Sequence, residues 1–232
     1  MTNKPKSRQS QPVDSDALIT YYAIVSIWVK NNLTLVIGAT IGVIALISVG
    51  IFMYTSSQAN ERAAEELLGF AEISFSAGDY EAALLGDDQT FTAGFSELIA
   101  TYPRTKAANM ARYYAAVSEF NLNNYESALL YIRDFNPPTG IMGVGPITLH
   151  GSILMSLERY SEAVPVFKKA AEWDENASTT PYNLLMAAES AMLAGNHSQA
   201  QDFVSQIVTR YENSAAATRA QKLRGKLVTM GS

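Results

Sequence analysis

Two histidines, His150 and His197, are the first places to look for chemistry in this 232-residue chain. An imidazole can ligate a metal or move a proton near neutral pH, but either role needs convergent partners. His150 adjoins Gly151, and His197 occupies a slot that tyrosine fills elsewhere in the sequence, so both read as packing residues. The carboxylate pairs Glu65/Glu66 and Asp87/Asp88 have no histidine beside them at metal-ligand spacing and read as solvated charge. The absence of cysteine excludes a disulfide framework, a thiolate metal centre, a cysteine nucleophile and a lipidated N-terminal cysteine. The three glycines of NPPTGIMGVGP (136–146) suggest a phosphate cradle, but no strand precedes them and no lysine follows in the P-loop pattern. That segment reads as a mobile inter-repeat connection. GxSxG, HExxH and Walker patterns do not occur. The expectation is a protein that is not an enzyme and uses no cofactor and no metal.

The elements that must position these residues fall into two compositional classes. Hydrophobic residues make up 48% of the chain, which is incompatible with disorder, and the net charge of −5 argues against a nucleic-acid partner. A mean hydropathy of +0.02 is high for a chain with 17% charged residues, and one segment accounts for it. Residues 33–54, LTLVIGATIGVIALISVGIFMY, run 22 positions without a charge. At ~1.5 Å per residue they make a helix about as long as a bilayer's hydrocarbon core is thick. A cleaved signal peptide would have a shorter apolar region behind a short basic start, so an uncleaved signal anchor fits better. Lys4, Lys6, Arg8 and Lys30 precede the span, and Arg62 is the one basic residue between Tyr54 and Tyr102. The positive-inside rule therefore puts the N-terminus in the cytoplasm and the rest across the membrane. Residues 1–16 read as a disordered cytoplasmic tail. Residues 17–32, with Tyr21, Tyr22 and Trp28, read as a short juxtamembrane helix at the interface. Gly38 and Gly42 form a GxxxG pair that would let the span associate with itself or another helix.

Residues 57–232 read as a helical-repeat domain. The strings AGDYEAA, LNNYESA, LERYSEA and AGNHSQA place Tyr80, Tyr125, Tyr160 and His197 in one slot, at intervals of 45, 35 and 37 residues. Each is followed three residues later by alanine, at Ala83, Ala128, Ala163 and Ala200. An aromatic beneath a turn and a small residue where two helices approach are what a helix hairpin requires. In the best unit Gly151 takes the close-packing position of the first helix, and Ala163, Phe167 and Ala170 form one apolar face of the second. Ala116 and Ala188 stand where Gly151 stands, in the units on either side. From about Asn60 to Leu227 the chain resembles the tetratricopeptide-repeat (TPR) family, whose period is roughly 34 residues. The insertion LLGDDQTFT (84–92) explains the long first interval, and the basic last helix, 215–228, reads as a cap on the stack. The fold expected is all-α: one transmembrane helix, then a TPR-like α-solenoid of helix hairpins.

The TPR resemblance implies a concave wall lined by the first helix of each unit. It puts Met110, Tyr113, Val117, Phe120, Met155, Tyr182, Leu185 and Met192 in a groove for apolar segments of a partner protein. Intramolecular packing would use the same spacing. From Glu61 to Glu97 nine acidic residues face one basic residue, a balance that repels anionic lipid headgroups. Nearly the full length resembles the YfgM-like family of bacterial inner-membrane proteins. The likeness rests on WVKNNLTLVIGATIGVIALISVG (28–50) and on FSELIATYPRTKAANMARYYAAVSEFNLNNYESALLYIRDF (95–135), the latter as seen in Bacteroidota and Chlorobi-like bacteria. It implies an inner-membrane protein with a periplasmic C-terminal domain. Its implied role is ancillary to the SecYEG translocon, linking emerging envelope proteins to periplasmic chaperones, with no catalytic residues. The alternative is a structural or assembly subunit of another inner-membrane complex. Outer-membrane assembly factors of the BamD type share YP-containing repeats like Tyr102–Pro103, but they are lipoproteins and this chain has no cysteine to lipidate.

Overall fold

Alanine, leucine and glutamate, which lose little freedom on entering a helix, recur along the chain between short polar breaks. The structure, a computed structural model, describes residues 15–87 and 92–230. The expected tail at 1–16 lies almost wholly outside the described residues, as does Asp88. The described chain is almost entirely helical. Its helices are α1 (Ser15–Asn31), α2 (Leu33–Ser76), α3 (Tyr80–Leu85), α4 (Phe95–Thr101), α5 (Lys106–Asn121) and α6 (Tyr125–Arg133). They continue with α7 (Ile141–Ser156), α8 (Tyr160–Trp173), α9 (Thr180–Leu193), α10 (His197–Arg210) and α11 (Ala215–Met230). A two-residue antiparallel pairing of β1 (Gly86–Asp87) with β2 (Thr92–Ala93) falls inside the insertion noted above.

The chain divides into two units, 1–56 and 57–232. In the first, most of the apolar side chains from Ile19 to Tyr54 are exposed, among them Trp28, Ile44 and Phe52. Among the described residues α2 is the one helix long and apolar enough to cross a membrane. Three of its hydroxyls turn back onto their own helix: Thr40, Ser48 and Thr55 donate to the carbonyls of Val36, Ile44 and Ile51 at 2.8, 2.8 and 3.0 Å. Between α1 and α2, both the backbone N–H and the Nδ2 of Asn32 donate to Trp28 O, at 2.9 and 2.8 Å. Every polar group named here is thus satisfied without water, the condition a bilayer imposes.

The second unit is assembled by one turn used four times. Gly78, Asn123, Glu158 and Gly195 all have left-handed backbones, with φ of 79°, 63°, 57° and 80°. Each stands two residues before Tyr80, Tyr125, Tyr160 or His197, which open α3, α6, α8 and α10. The residue between them sends its N–H back to the preceding helix: Asp79 to Ser74 O, Asn124 to Glu119 O, Arg159 to Leu154 O and Asn196 to Ala191 O, at 2.8–3.0 Å. The left-handed residue itself donates to the carbonyl three positions back, as Gly195 does to Met192 at 3.0 Å. This double bond is the Schellman stop, which satisfies the last carbonyls of one helix and aims the chain into the next. The opening aromatics close the turns: Tyr80 packs on Phe75 with ring centroids 5.8 Å apart, and Tyr125 on Phe120 at 5.5 Å.

Helices joined this way pack on their sequence neighbours from α5 through α11, and α5 also meets α7 while α9 meets α11. Small residues make that closeness possible. Ala116, Ala128, Ala163, Ala170, Ala188 and Ala200 are fully buried. A Cβ on Gly151 would lie 2.7 Å from the Phe167 ring, which is itself fully buried. A smaller core joins Ala64 and Ala71 of α2 to Phe95, Leu98 and the first half of α5. There Glu61 caps α5 from 45 residues away, its two carboxylate oxygens accepting from Lys106 N and Ala107 N at 3.0 Å each. Thr105 Oγ1 takes the next N–H, of Ala108, at 3.0 Å. Three orphan donors of a helix start are satisfied, two of them by an anion at the positive end of the helix dipole.

The glycine-rich stretch expected to be a mobile inter-repeat connection is helical from Ile141 onward, so the connection is confined to residues 134–140. Close packing explains this. Trp173 Nε1 donates to Pro138 O at 3.0 Å, and a Cβ on Gly143 would collide with both groups. Gly143 therefore serves as a packing residue inside α7.

Candidate functional site

A cleft of about 880 Å3 opens across α7, α9 and α11. Its base is apolar, formed by Val144, Pro181, Leu185 and Ala216, all buried. Its rim carries Ile141, 52% exposed, and Tyr182, 44% exposed, two large apolar surfaces left facing water. Small side chains keep the space open: Gly145, Ala177, Ser178, Ser214 and Ala215 stand where bulkier residues would fill it.

One edge of the cleft is fixed by a side-chain network. Asn176 Oδ1 accepts from Ser178 N and Thr179 N at 2.8 Å each, and its Nδ2 donates to Asp174 O and Thr179 Oγ1 at 2.8 and 2.7 Å. Asn176 N donates to Thr180 Oγ1 at 2.9 Å, and that hydroxyl reaches Ala171 O at 3.1 Å. Pro181 then sits in the first turn of α9, where its missing N–H is no loss. The base is pinned by Asn183, 1% exposed. Its Oδ1 lies 2.7 Å from Thr148 Oγ1 across the α7–α9 contact, and its Nδ2 donates to Thr179 O at 3.0 Å. A buried amide left half-paired would cost about 1–3 kcal/mol, so this pairing fixes how the two helices meet. Arg219, on the α11 wall, donates to Glu189 of α9 at 2.9 Å.

The lining offers apolar area, hydroxyls, one amide and one arginine already engaged with Glu189; it includes no histidine, carboxylate or lysine. Such a lining can bury an apolar segment and orient it with a few polar contacts. Among the described residues no group of three or more histidine, aspartate or glutamate side chains is arranged to hold a metal ion.

Of the residues expected to form a partner groove, Tyr182 and Leu185 line this cleft, the first on the rim and the second at the base. Met110 is partly exposed on α5, away from it. Tyr113 packs its ring on Tyr114 and Phe135 at 5.7 and 5.5 Å, and burial raises its phenol pKa. Phe120, Met155 and Met192 pack against the larger core, and Val117 is half-buried. Gly38 and Gly42 have nothing within 4 Å of where a Cβ would stand. His197 is half-buried, its Nδ1 without a hydrogen-bond partner. His150 lies in a separate, smaller cavity. Glu65 and Glu66 are exposed.

Ile141, Val144, Thr148, Asn183 and Arg219 were not among the residues the sequence put forward. A signal for the cleft edge is present in NASTTP (176–181), where Asx-turn and helix-start residues cluster before a proline. No protein-family model matches this chain, and no curated protein matches it either.

Proposed function

We propose that this protein is a membrane-anchored interaction scaffold, without enzymatic activity, whose helical domain is a TPR-like α-solenoid that binds other proteins. The observation that carries the reading is the apolar cleft across α7, α9 and α11, rimmed by Ile141 and Tyr182, in a chain that also carries a helix long enough to span a bilayer. The four-fold turn and the packing of each helix on its sequence neighbours support the repeat reading. In the same proposal the N-terminus is cytoplasmic and the helical domain periplasmic in a bacterial inner membrane. The distribution of charge supports that orientation, with +2 on residues 1–32 and −7 on residues 33–232. The partners proposed are the SecYEG translocon and periplasmic chaperones, on the strength of the resemblance set out above.

Purification of the full chain in mild detergent, followed by mass spectrometry, tests the partner assignment. Translocon and chaperone subunits recovered below stoichiometry are the expected result. Stoichiometric recovery with one other membrane complex would replace the proposal with the assembly-subunit reading. Protease added to spheroplasts tests the topology: digestion of the helical domain is expected, and its full protection would reverse the orientation.

A further inference from the structure

The cavity holding His150 has a chemistry of its own. We propose that the notch between α6, α7 and α8 binds a carboxylate anion that carries a small apolar body. The notch measures about 200 Å3 and draws basic groups from three elements: Arg133 at the end of α6, His150 on α7 and Lys169 on α8. Phe135, Pro146 and Val166 supply the apolar part of its wall. Such convergence is out of keeping with a region whose net charge is −7.

The positive charge is only partly neutralised from within. Glu162 is the carboxylate that acts on His150; its two oxygens are held by Arg159 at 2.7 and 2.8 Å and it pairs more loosely with Arg133 at 4.0 Å, so one negative charge is shared between two arginines and none reaches Lys169. Lys169 Nζ lies 5.2 Å from the centre of the Trp173 ring and, among the described residues, pairs with no carboxylate. The half-buried imidazole registers the imbalance. Burial first, then Arg133, Lys169 and Arg159, hold His150 below the usual histidine range, and Glu162 is the opposing charge.

Shape and lining select the ligand class. At ~30 Å3 per water, the notch has room for a carboxylate with a few carbons. A phosphate or sulfate, polar on every side, would leave oxygens unpaired against Phe135, Pro146 and Val166. A carboxylate is charged at one end and can lay its body on that wall. Two sources share this chemistry: a free short-chain acid, and the C-terminus of a polypeptide ending in an apolar residue.

The test uses the full chain in lipid nanodiscs, with 13C-labelled histidine and only two resonances to assign. Isovalerate is expected to shift the His150 signal saturably and to raise its titration midpoint, leaving His197 in place. Arg133→Gln and Lys169→Gln should each weaken that binding about ten-fold, with unchanged circular dichroism. Equal saturation by inorganic phosphate at matched ionic strength would overturn the carboxylate assignment. A common drift of both histidines with any salt would overturn the site. A leucine-terminated peptide that binds more tightly than isovalerate, and loses binding when amidated, would assign the source to polypeptide ends; equal affinities would assign it to free acids.

Discussion

The apolar half of α2 and the helical domain that follows are both rich in hydrophobic residues, yet they handle polar groups in opposite ways. Along the span Thr40 and Ser48 return to their own helix, as Ser48 does to Ile44 O at 2.8 Å, and most of the apolar side chains are exposed. In the domain, polar side chains also reach across elements: Thr148 to Asn183 at 2.7 Å, Ser96 to Tyr131 at 3.0 Å, Glu61 to the start of α5. A helix surrounded by lipid must satisfy itself, because nothing around it can hydrogen-bond. A helix surrounded by helices can use each polar pair to fix a particular neighbour and register.

That contrast can be broken at graded cost. The largest effect belongs to Phe167→Ala, which empties the space beneath Gly151 and should destabilise the domain by about 3–5 kcal/mol. Chemical denaturation followed by circular dichroism measures it, and the membrane fraction of the protein should not change. Ile44→Arg attacks the other region. A charge at mid-span costs about 3 kcal/mol of insertion, so the membrane-bound fraction should fall while the domain keeps its unfolding midpoint. If Ile44→Arg unfolds the domain instead, the span is packing against protein and the contrast is wrong.

Smaller changes sharpen the picture within the domain. Glu61→Ala strips two backbone donors of their partner and should cost about 1–2 kcal/mol. Hydrogen exchange should localise the loss to the amides of Lys106 and Ala107. In the four-fold turn, Glu158→Gly relieves a left-handed backbone at a residue with a Cβ and should stabilise by about 1 kcal/mol. Gly195→Ala, the reverse change in the equivalent slot, should destabilise by a similar amount. The smallest effect is pH-dependent. His150 is held below its ordinary value, so the folded state binds this proton less readily than the unfolded chain does. Stability should therefore decline as pH falls below about 6.5, the value of a free histidine, through the lowered native value. His150→Gln should flatten that slope.

Much of this organisation was legible in the sequence because it is local. The aromatic that opens each second helix, the left-handed residue two positions before it and the alanine three positions after it lie within a few residues of one another. The turn strings therefore placed Tyr80, Tyr125, Tyr160 and His197 at hairpin turns, and each opens a helix. The long apolar helix was legible for a similar reason, its apolar part being a single unbroken run. What the sequence did not disclose depends on distance along the chain. Glu61 caps a helix 45 residues away, and nothing near either residue announces it. The start of α7 was hidden because IMGVGP looks like a loop until Trp173 and Pro138 close over Gly143. The cleft was hidden most deeply, since it exists where small residues of α7, of the loop before α9 and of the start of α11 coincide. Of the side chains expected to face a partner, Tyr182 and Leu185 line it, while Tyr113, Phe120, Met155 and Met192 pack against the core. Helical spacing marks an apolar stripe without saying whether the protein itself or a partner covers it.

The central claim is that the cleft receives a protein partner while the chain sits in its membrane, and site-specific photo-crosslinking in living cells addresses it directly. A photoreactive amino acid at Tyr182 should give discrete adducts with translocon or chaperone subunits. The same probe at Glu65, exposed on α2 and outside the cleft, should not give those adducts. Equal labelling from both positions, or no adduct from Tyr182 in a correctly inserted protein, would contradict the account.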